Sequence, residues 1–207
     1  MKRLFSCLII ALSLNFVIST ELYAQERKDL MLSLGIGLFT SPEGKRFESP
    51  QIGGGYALDI NYFITERHIL SSNYTSGRHE YMFNPYRQGT PPLSSVPASD
   101  SEFRIFSLMY KYRIINVERF SITLGTGLNL MTEIRRFPIY ELRNGDLFFQ
   151  SFSDVGTTDL AFPFKGEFSF NIANRWAVGL EGGIFLMPTV HPWSGFHLFP
   201  RVSYIFR

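Results

Sequence analysis

Leu30-Met31-Leu32-Ser33-Leu34-Gly35-Ile36-Gly37-Leu38 sets a branched aliphatic at every second position. Period two places Leu30, Leu32, Leu34, Ile36 and Leu38 on one face of a strand, with Met31, Ser33, Gly35 and Gly37 on the other. A helix would scatter the same leucines around its axis. Working outward, the scheme recurs. Tyr56, Leu58, Ile60, Tyr62 and Ile64 oppose Ala57, Asp59, Asn61 and Phe63, and Phe106, Leu108, Tyr110, Tyr112 and Ile114 oppose Ser107, Met109, Lys111 and Arg113. Phe120, Ile122, Leu124, Leu128 and Leu130 oppose Ser121, Thr123, Gly125, Gly127 and Asn129. Phe162, Phe164, Phe168, Phe170 and Ile172 oppose Lys165, Glu167, Ser169 and Asn171, and Trp176, Val178, Leu180, Ile184 and Leu186 oppose Ala177, Gly179, Glu181 and Gly183. The final segment sets Phe196, Leu198, Val202, Tyr204 and Phe206 against His197, Arg201 and Ser203. A weaker segment, about 69–78, has only Leu70 and Tyr74 as large apolar outer residues, and it is counted because the strand number must be even.

Composition narrows the class. With 45% apolar and 16% aromatic residues over 207 positions, the chain is one folded domain, or at most two small ones, and not a disordered one. Twenty basic against 18 acidic residues offer no bulk attraction for nucleic acid. A single cysteine, Cys7, excludes a disulfide framework and a zinc site built from paired cysteines. The segment 1–24 has a Lys2-Arg3 n-region, a short apolar run from Leu4 to Ile18, and Ala24 before Gln25. It reads as a secretory signal peptide, which leaves a domain of residues 25–207. Cleavage removes Lys2, Arg3 and Glu21, so the 20 basic and 18 acidic residues become 18 and 17.

After the signal no window holds 18 consecutive apolar residues, so helical spans are not expected. Connections alternate instead. Thr65-Glu66-Arg67, Asn116-Val117-Glu118 and Ala173-Asn174-Arg175 are tight, whereas about 41–51, 78–102, 133–159 and 187–195 are long. Nine of the 11 prolines fall in the long connections; Pro163 and Pro200 lie within strands, where each removes a ladder donor and is expected to cause a bulge or fraying. Within the third long connection, Asn144-Gly145 between Leu142 and Leu147 reads as a hairpin turn that carries strands beyond the membrane. Tracing direction places Tyr62, Tyr112, Phe120, Phe170, Trp176, Tyr204 and Phe206 together at the short-turn end as an aromatic girdle.

The amphipathic segments, the alternating connections and the terminal Val202-Ser203-Tyr204-Ile205-Phe206-Arg207 resemble the small eight-stranded outer-membrane barrels of the OmpA/OmpX type. The expected fold is therefore all-β: a closed antiparallel transmembrane β-barrel of eight strands, preceded by a cleaved signal peptide. The resemblance implies the outer membrane of a Gram-negative bacterium, periplasmic termini, outer-membrane lipid around the barrel and the barrel assembly machinery during biogenesis. That machinery reads an aromatic end of the last strand; here Phe206 is penultimate and Arg207 follows.

An eight-stranded barrel is just wide enough for side chains to fill. Asp59, Glu167 and Glu181 with Lys111, Lys165 and Arg201 are expected to pair as a lumen charge network, because unpaired burial costs several kcal/mol each. No catalytic, cofactor or metal residues are assigned. Outer-membrane deacylases of the PagL type place His and Ser two apart on a strand, and none of His68, His79, His191 or His197 has a serine there; His191-Pro192-Trp193-Ser194 misses by one. The long connections carry Tyr86, Arg87, Arg135, Arg136, Tyr140 and Trp193, aromatic and arginine residues suited to recognising an extracellular partner. The reading is thus a non-catalytic structural or surface-recognition protein. Its rivals are a lipid-modifying enzyme of the same fold, with His, Ser and acid meeting on the outer face, and a soluble periplasmic barrel that holds an apolar ligand inside.

Overall fold

The computed structural model describes residues 29–40, 48–50, 52–82, 99–143, 146–187 and 191–206. The expected signal peptide, Cys7, Tyr86, Arg87 and the Asn144-Gly145 turn lie outside these residues. The described chain is strand and short turn: β1 (Leu30–Thr40), β2 (Glu48–Pro50), β3 (Gly53–Phe63), β4 (His68–Met82), β5 (Ser99–Asn116), β6 (Phe120–Arg143), β7 (Asp146–Asn171), β8 (Trp176–Met187) and β9 (His191–Phe206).

Eight of these strands form a ring of antiparallel pairings, β1-β3-β4-β5-β6-β7-β8-β9, in which β9 pairs back onto β1. The three-residue β2 stands outside the ring, attached to the far end of β4. Side-chain period and ring agree residue by residue. In β1 the burial pattern alternates from end to end, with Leu34, Ile36 and Leu38 exposed outside and Met31, Ser33 and Phe39 buried inside.

The weak segment is a full member of the ring. β4 is 15 residues long and holds ladders to β3 on one side and β5 on the other. Its outer face is poor in large apolar groups, since Ser72 and Ser76 alternate with Leu70 and Tyr74. The backbone ladders hold it regardless, because a strand with two partners satisfies its amides whatever its side chains are.

The third long connection, 133–159, is a strand hairpin as its Asn144-Gly145 reading implies: β6 and β7 run on as a two-stranded ribbon whose pairing extends to Arg143↔Asp146. Of the bulge or fraying expected at Pro163 and Pro200, the ladders show the fraying and no register shift. Ladder pairs are missing near each, between Thr126↔Phe164 and Asn129↔Ala161 and between Gly35↔Arg201 and Leu38↔Leu198, yet the register is the same on both sides of each gap. In the ring, register shifts occur at Arg113/Ile115, Ile139/Tyr140 and Phe185/Met187, near strand ends or in the ribbon, where fewer ladder bonds resist them.

Candidate functional site: the lumen and the β6–β7 ribbon

The lumen is filled in layers. At the short-turn end Met31, Phe63 and Ile69 pack together, and the Arg113 guanidinium lies 4.8 Å over the Phe63 ring. At the other end Phe39, Phe103, Phe185 and Phe199 are each at most 1% exposed and pack with Ile105 and Met131. Inward glycines make room for these rings. A Cβ on Gly77 would lie 2.2–2.4 Å from Phe39 ring carbons, so the ring rests on the bare β4 backbone.

Between the apolar layers lie all six charges named from the sequence. Lys111 Nζ donates to Glu167 Oε1 at 2.5 Å, to Asn61 Oδ1 at 2.9 Å and to Asp59 Oδ1 at 3.3 Å. Lys165 Nζ donates to Asn73 Oδ1 at 2.8 Å and to Glu181 Oε1 at 2.9 Å. Arg201 ties the set together: Nη1 lies 2.7 Å from Glu181 Oε2 and 3.0 Å from Glu167 Oε1, and Nη2 lies 3.5 Å from Asp59 Oδ2. His197 Nε2 adds a contact of 3.0 Å to Glu181 Oε1. These side chains are all within 5% of full burial. Three carboxylates and three cations cancel formally, with the histidine neutral. The arrangement works only because β3, β5, β7, β8 and β9 present these residues at one height, a consequence of ring register and not of sequence neighbourhood.

The oxygens of Asp59, Glu167 and Glu181 approach within 4.8 Å of one another, a spacing a cation would accept. Lys111, Lys165 and Arg201 already bond these carboxylates, so the positive charge a metal would contribute is supplied by the chain itself.

A second polar group lies towards the long-connection mouth. Ser101 Oγ donates to Glu133 Oε1 at 2.8 Å, and Arg135 holds the same carboxylate through Nε at 2.6 Å and Nη2 at 2.8 Å. His79 faces Ser101 across the β4–β5 ladder and stacks on Phe103 at 5.6 Å between ring centroids. Serine, histidine and carboxylate thus meet inside the lumen, each at most 5% exposed, and not on the lipid-accessible outer face that the enzyme alternative required. The serine proton points to a carboxylate that an arginine also holds, an arrangement that binds the hydroxyl in place.

Of the recognition candidates, Arg135 and Arg136 lie on the β6–β7 ribbon and are engaged with acids, Arg136 with Asp154 at 3.0 Å. Tyr140 is in β6 and Trp193 in β9; their side chains are outside the described set. The Asp154 carboxyl is held below its ordinary value, first by the hydrogen bond from Arg136. Arg136 also lies 5.9 Å from the Phe152 ring, and Phe148, Phe149 and Phe152 are exposed along the ribbon. From Thr132↔Thr158 to its end the ribbon is roughly 40 Å long, at about 3.4 Å per residue over about 12 residues.

Sequence reasoning missed the phenylalanine layer and the Ser101–Glu133–Arg135 group. The signal for Phe39, Phe103 and Phe199 was parity: each sits at an odd step beside an outward residue, where an aromatic is unexpected if only polar groups are assigned inward. Glu133 was hidden because the face assignment of its strand ended at Leu130, before the long connection.

No family model matches the chain. No curated protein matches it either. Solved structures do. Ail, the attachment invasion locus protein of Yersinia pestis, is 10% identical, aligns over 87% of this chain and 100% of its own, and superposes with a TM-score of 0.52. Its complex with the heparin analogue sucrose octasulfate gives 12% identity, the same coverage and 0.55. Neisserial surface protein A gives 14% identity, 86% and 97% coverage and 0.53. At such identity the likeness is one of fold, and the fold of this chain is that of the small eight-stranded outer-membrane β-barrels.

Proposed function

We propose that the protein is a closed transmembrane barrel of a Gram-negative outer membrane, exported by a signal peptide cleaved after Ala24, with its termini and short turns in the periplasm. It acts without catalysis, as a structural or surface-recognition protein that presents the β6–β7 ribbon outside the cell. The observation that carries this reading is the inversion of the soluble pattern: Leu34, Ile36, Leu108, Leu124, Leu128 and Leu180 are exposed, while Asp59, Lys111, Lys165, Glu167, Glu181 and Arg201 are buried. A soluble barrel with an apolar cavity needs the reverse, so that rival loses its support. β1, β3 and β8, at 11, 11 and 12 residues, have the length a tilted strand needs to cross hydrocarbon.

With the lumen filled by a neutral ion network between apolar layers, recognition falls to the ends. The ribbon arginines Arg135 and Arg136 already pair with Glu133 and Asp154. Its recognition chemistry is therefore aromatic with mixed charge, not a basic patch for a polyanion such as the sulfated sugar bound to Ail. Fractionation of expressing cells, gel migration with and without heating, and protease shaving of intact cells test the reading. The expected result is an outer-membrane, heat-modifiable protein cut within the β6–β7 ribbon or the other long connections. Recovery in the soluble periplasm, or cleavage at the short turns of intact cells, overturns it.

A further inference from the structure

The three short turns repeat one arrangement. Each ends in an arginine: Glu66-Arg67 before β4, Glu118-Arg119 before β6 and Asn174-Arg175 before β8. Each arginine carbonyl accepts a backbone N–H from the next strand in the ring, Arg113 to Arg67 at 2.8 Å, Asn171 to Arg119 at 2.7 Å and Ile205 to Arg175 at 2.8 Å. That shared bond sets the residue preceding each donor, Tyr112, Phe170 or Tyr204, beside the arginine on the outer surface. Arg67 Nη1 donates to Tyr112 Oη at 3.4 Å and Arg175 Nη1 to Tyr204 Oη at 3.2 Å; Phe170 has no hydroxyl to offer Arg119.

The turns also sort charge by side. Glu66 and Glu118, with Asp29, line a cup of about 270 Å³ at the lumen mouth around Arg113. Arg67, Arg119 and Arg175 are exposed and take no part in that cup. Acids turn to the mouth and bases to the rim, directly at the edge of the aromatic girdle. Girdle aromatics sit at headgroup depth in a bilayer. A guanidinium at that depth meets phosphodiesters with a planar fork of N–H donors that fits two oxygens at once.

We infer that Arg67, Arg119 and Arg175 form a ring of headgroup sites for anionic phospholipid in the leaflet facing the short turns. Each arginine binds a lipid phosphate while the neighbouring girdle aromatic packs on the upper acyl chain. The ligand is a lipid and not free phosphate, because each guanidinium adjoins an apolar outer face that only a chain-bearing molecule would cover. This rests on the outer-membrane reading above.

Trp176 follows Arg175 and lies 4.9 Å from Tyr204 between ring centroids, so it reports on the third site. Only one other tryptophan exists, Trp193, and the full chain carrying Trp193→Phe is refolded into vesicles mixing phosphatidylcholine with phosphatidylglycerol. Quenching by brominated phosphatidylglycerol against brominated phosphatidylcholine gives the relative affinity at Trp176. Expected is a preference for the anionic lipid of about threefold or more, lowered by salt and unchanged by inorganic phosphate at matched ionic strength. Arg175→Gln should bring it to about one, while Arg175→Lys keeps most of it. Arg67→Gln/Arg119→Gln should leave quenching at Trp176 unchanged but lower the total of tightly held phosphatidylglycerol, read by spin-labelled lipid. No preference in the parent, a preference that survives Arg175→Gln, or its loss on adding phosphate alone overturns the inference and leaves the barrel standing. Failure to reach a heat-modifiable form in either lipid overturns the barrel reading, and the inference with it.

Discussion

Glu181→Gln removes one negative charge from the centre of the lumen. Glu181 receives Lys165 at 2.9 Å and Arg201 at 2.7 Å, lies 3.0 Å from His197, and its side chain is 2% exposed. The glutamine keeps volume and one acceptor oxygen but leaves the buried six-charge cluster with a net +1. Breaking a buried pair from one side costs about 3–5 kcal/mol. With a urea slope of about 3 kcal/mol/M, the midpoint should fall by about 1–2 M. Adding Lys165→Met restores neutrality. That change also gives up the Lys165–Asn73 hydrogen bond of 2.8 Å, worth about 1 kcal/mol net, so the double variant should unfold within about 1–2 kcal/mol of the parent. The assay is urea unfolding of the barrel in lipid vesicles, followed by tryptophan fluorescence and by gel mobility without heating. If Glu181→Gln costs under about 1 kcal/mol, the lumen is wet and its charges are solvated. If the double variant is no better than the single, net charge is not the controlling quantity.

Other outcomes follow from the same geometry. Leu124→Arg or Leu180→Arg puts a guanidinium on the lipid face and should cost about 2–4 kcal/mol near midplane in vesicle-folding titrations; a negligible effect would contradict the assigned faces. Gly77→Ala drives a methyl into the Phe39 ring, which His79 and Phe103 hold from the other sides, and should cost about 1–3 kcal/mol by the same titration; Phe39→Leu in the same chain should recover part of it. Asp154 has a depressed carboxyl, so the attraction of Arg136 is fully present above the ordinary carboxylate value of about 3.9 and is lost as pH falls through the lower folded value. Amide exchange or acid-protease cleavage of the ribbon should therefore rise only below about pH 4, and Asp154→Asn should remove that pH dependence.

Much of the arrangement was legible from side-chain period. Leu30 to Leu38 and their counterparts announce a sheet with one greasy face, and the alternation of connection lengths implies neighbouring antiparallel strands. The six lumen charges were legible for the same reason: each shares parity with small or polar inward residues. β4 was barely legible because Ser72 and Ser76 dilute its pattern, and its place rests on backbone pairing that carries no side-chain signature. The ribbon at 133–159 was legible only through its Asn144-Gly145 turn, because its strands leave the environment that enforces period two. Above the apolar band both faces of β6 and β7 meet solvent, so Arg135, Arg136, Phe148 and Phe149 obey no alternation.

By itself, then, the sequence determined strand faces, approximate strand number and the sign of each lumen charge, because a bilayer and a narrow lumen impose opposite chemistry on adjacent residues. Only the tertiary structure decided which charges meet. Lys165 reaches Glu181 and Asn73 from three different strands, and Ser101 meets Glu133 across the β5–β6 pair, through a register that no local pattern encodes. The same holds for the turn arginines. They lie far apart along the chain, and they come around a common mouth only when β9 pairs with β1 and completes the ring of strands.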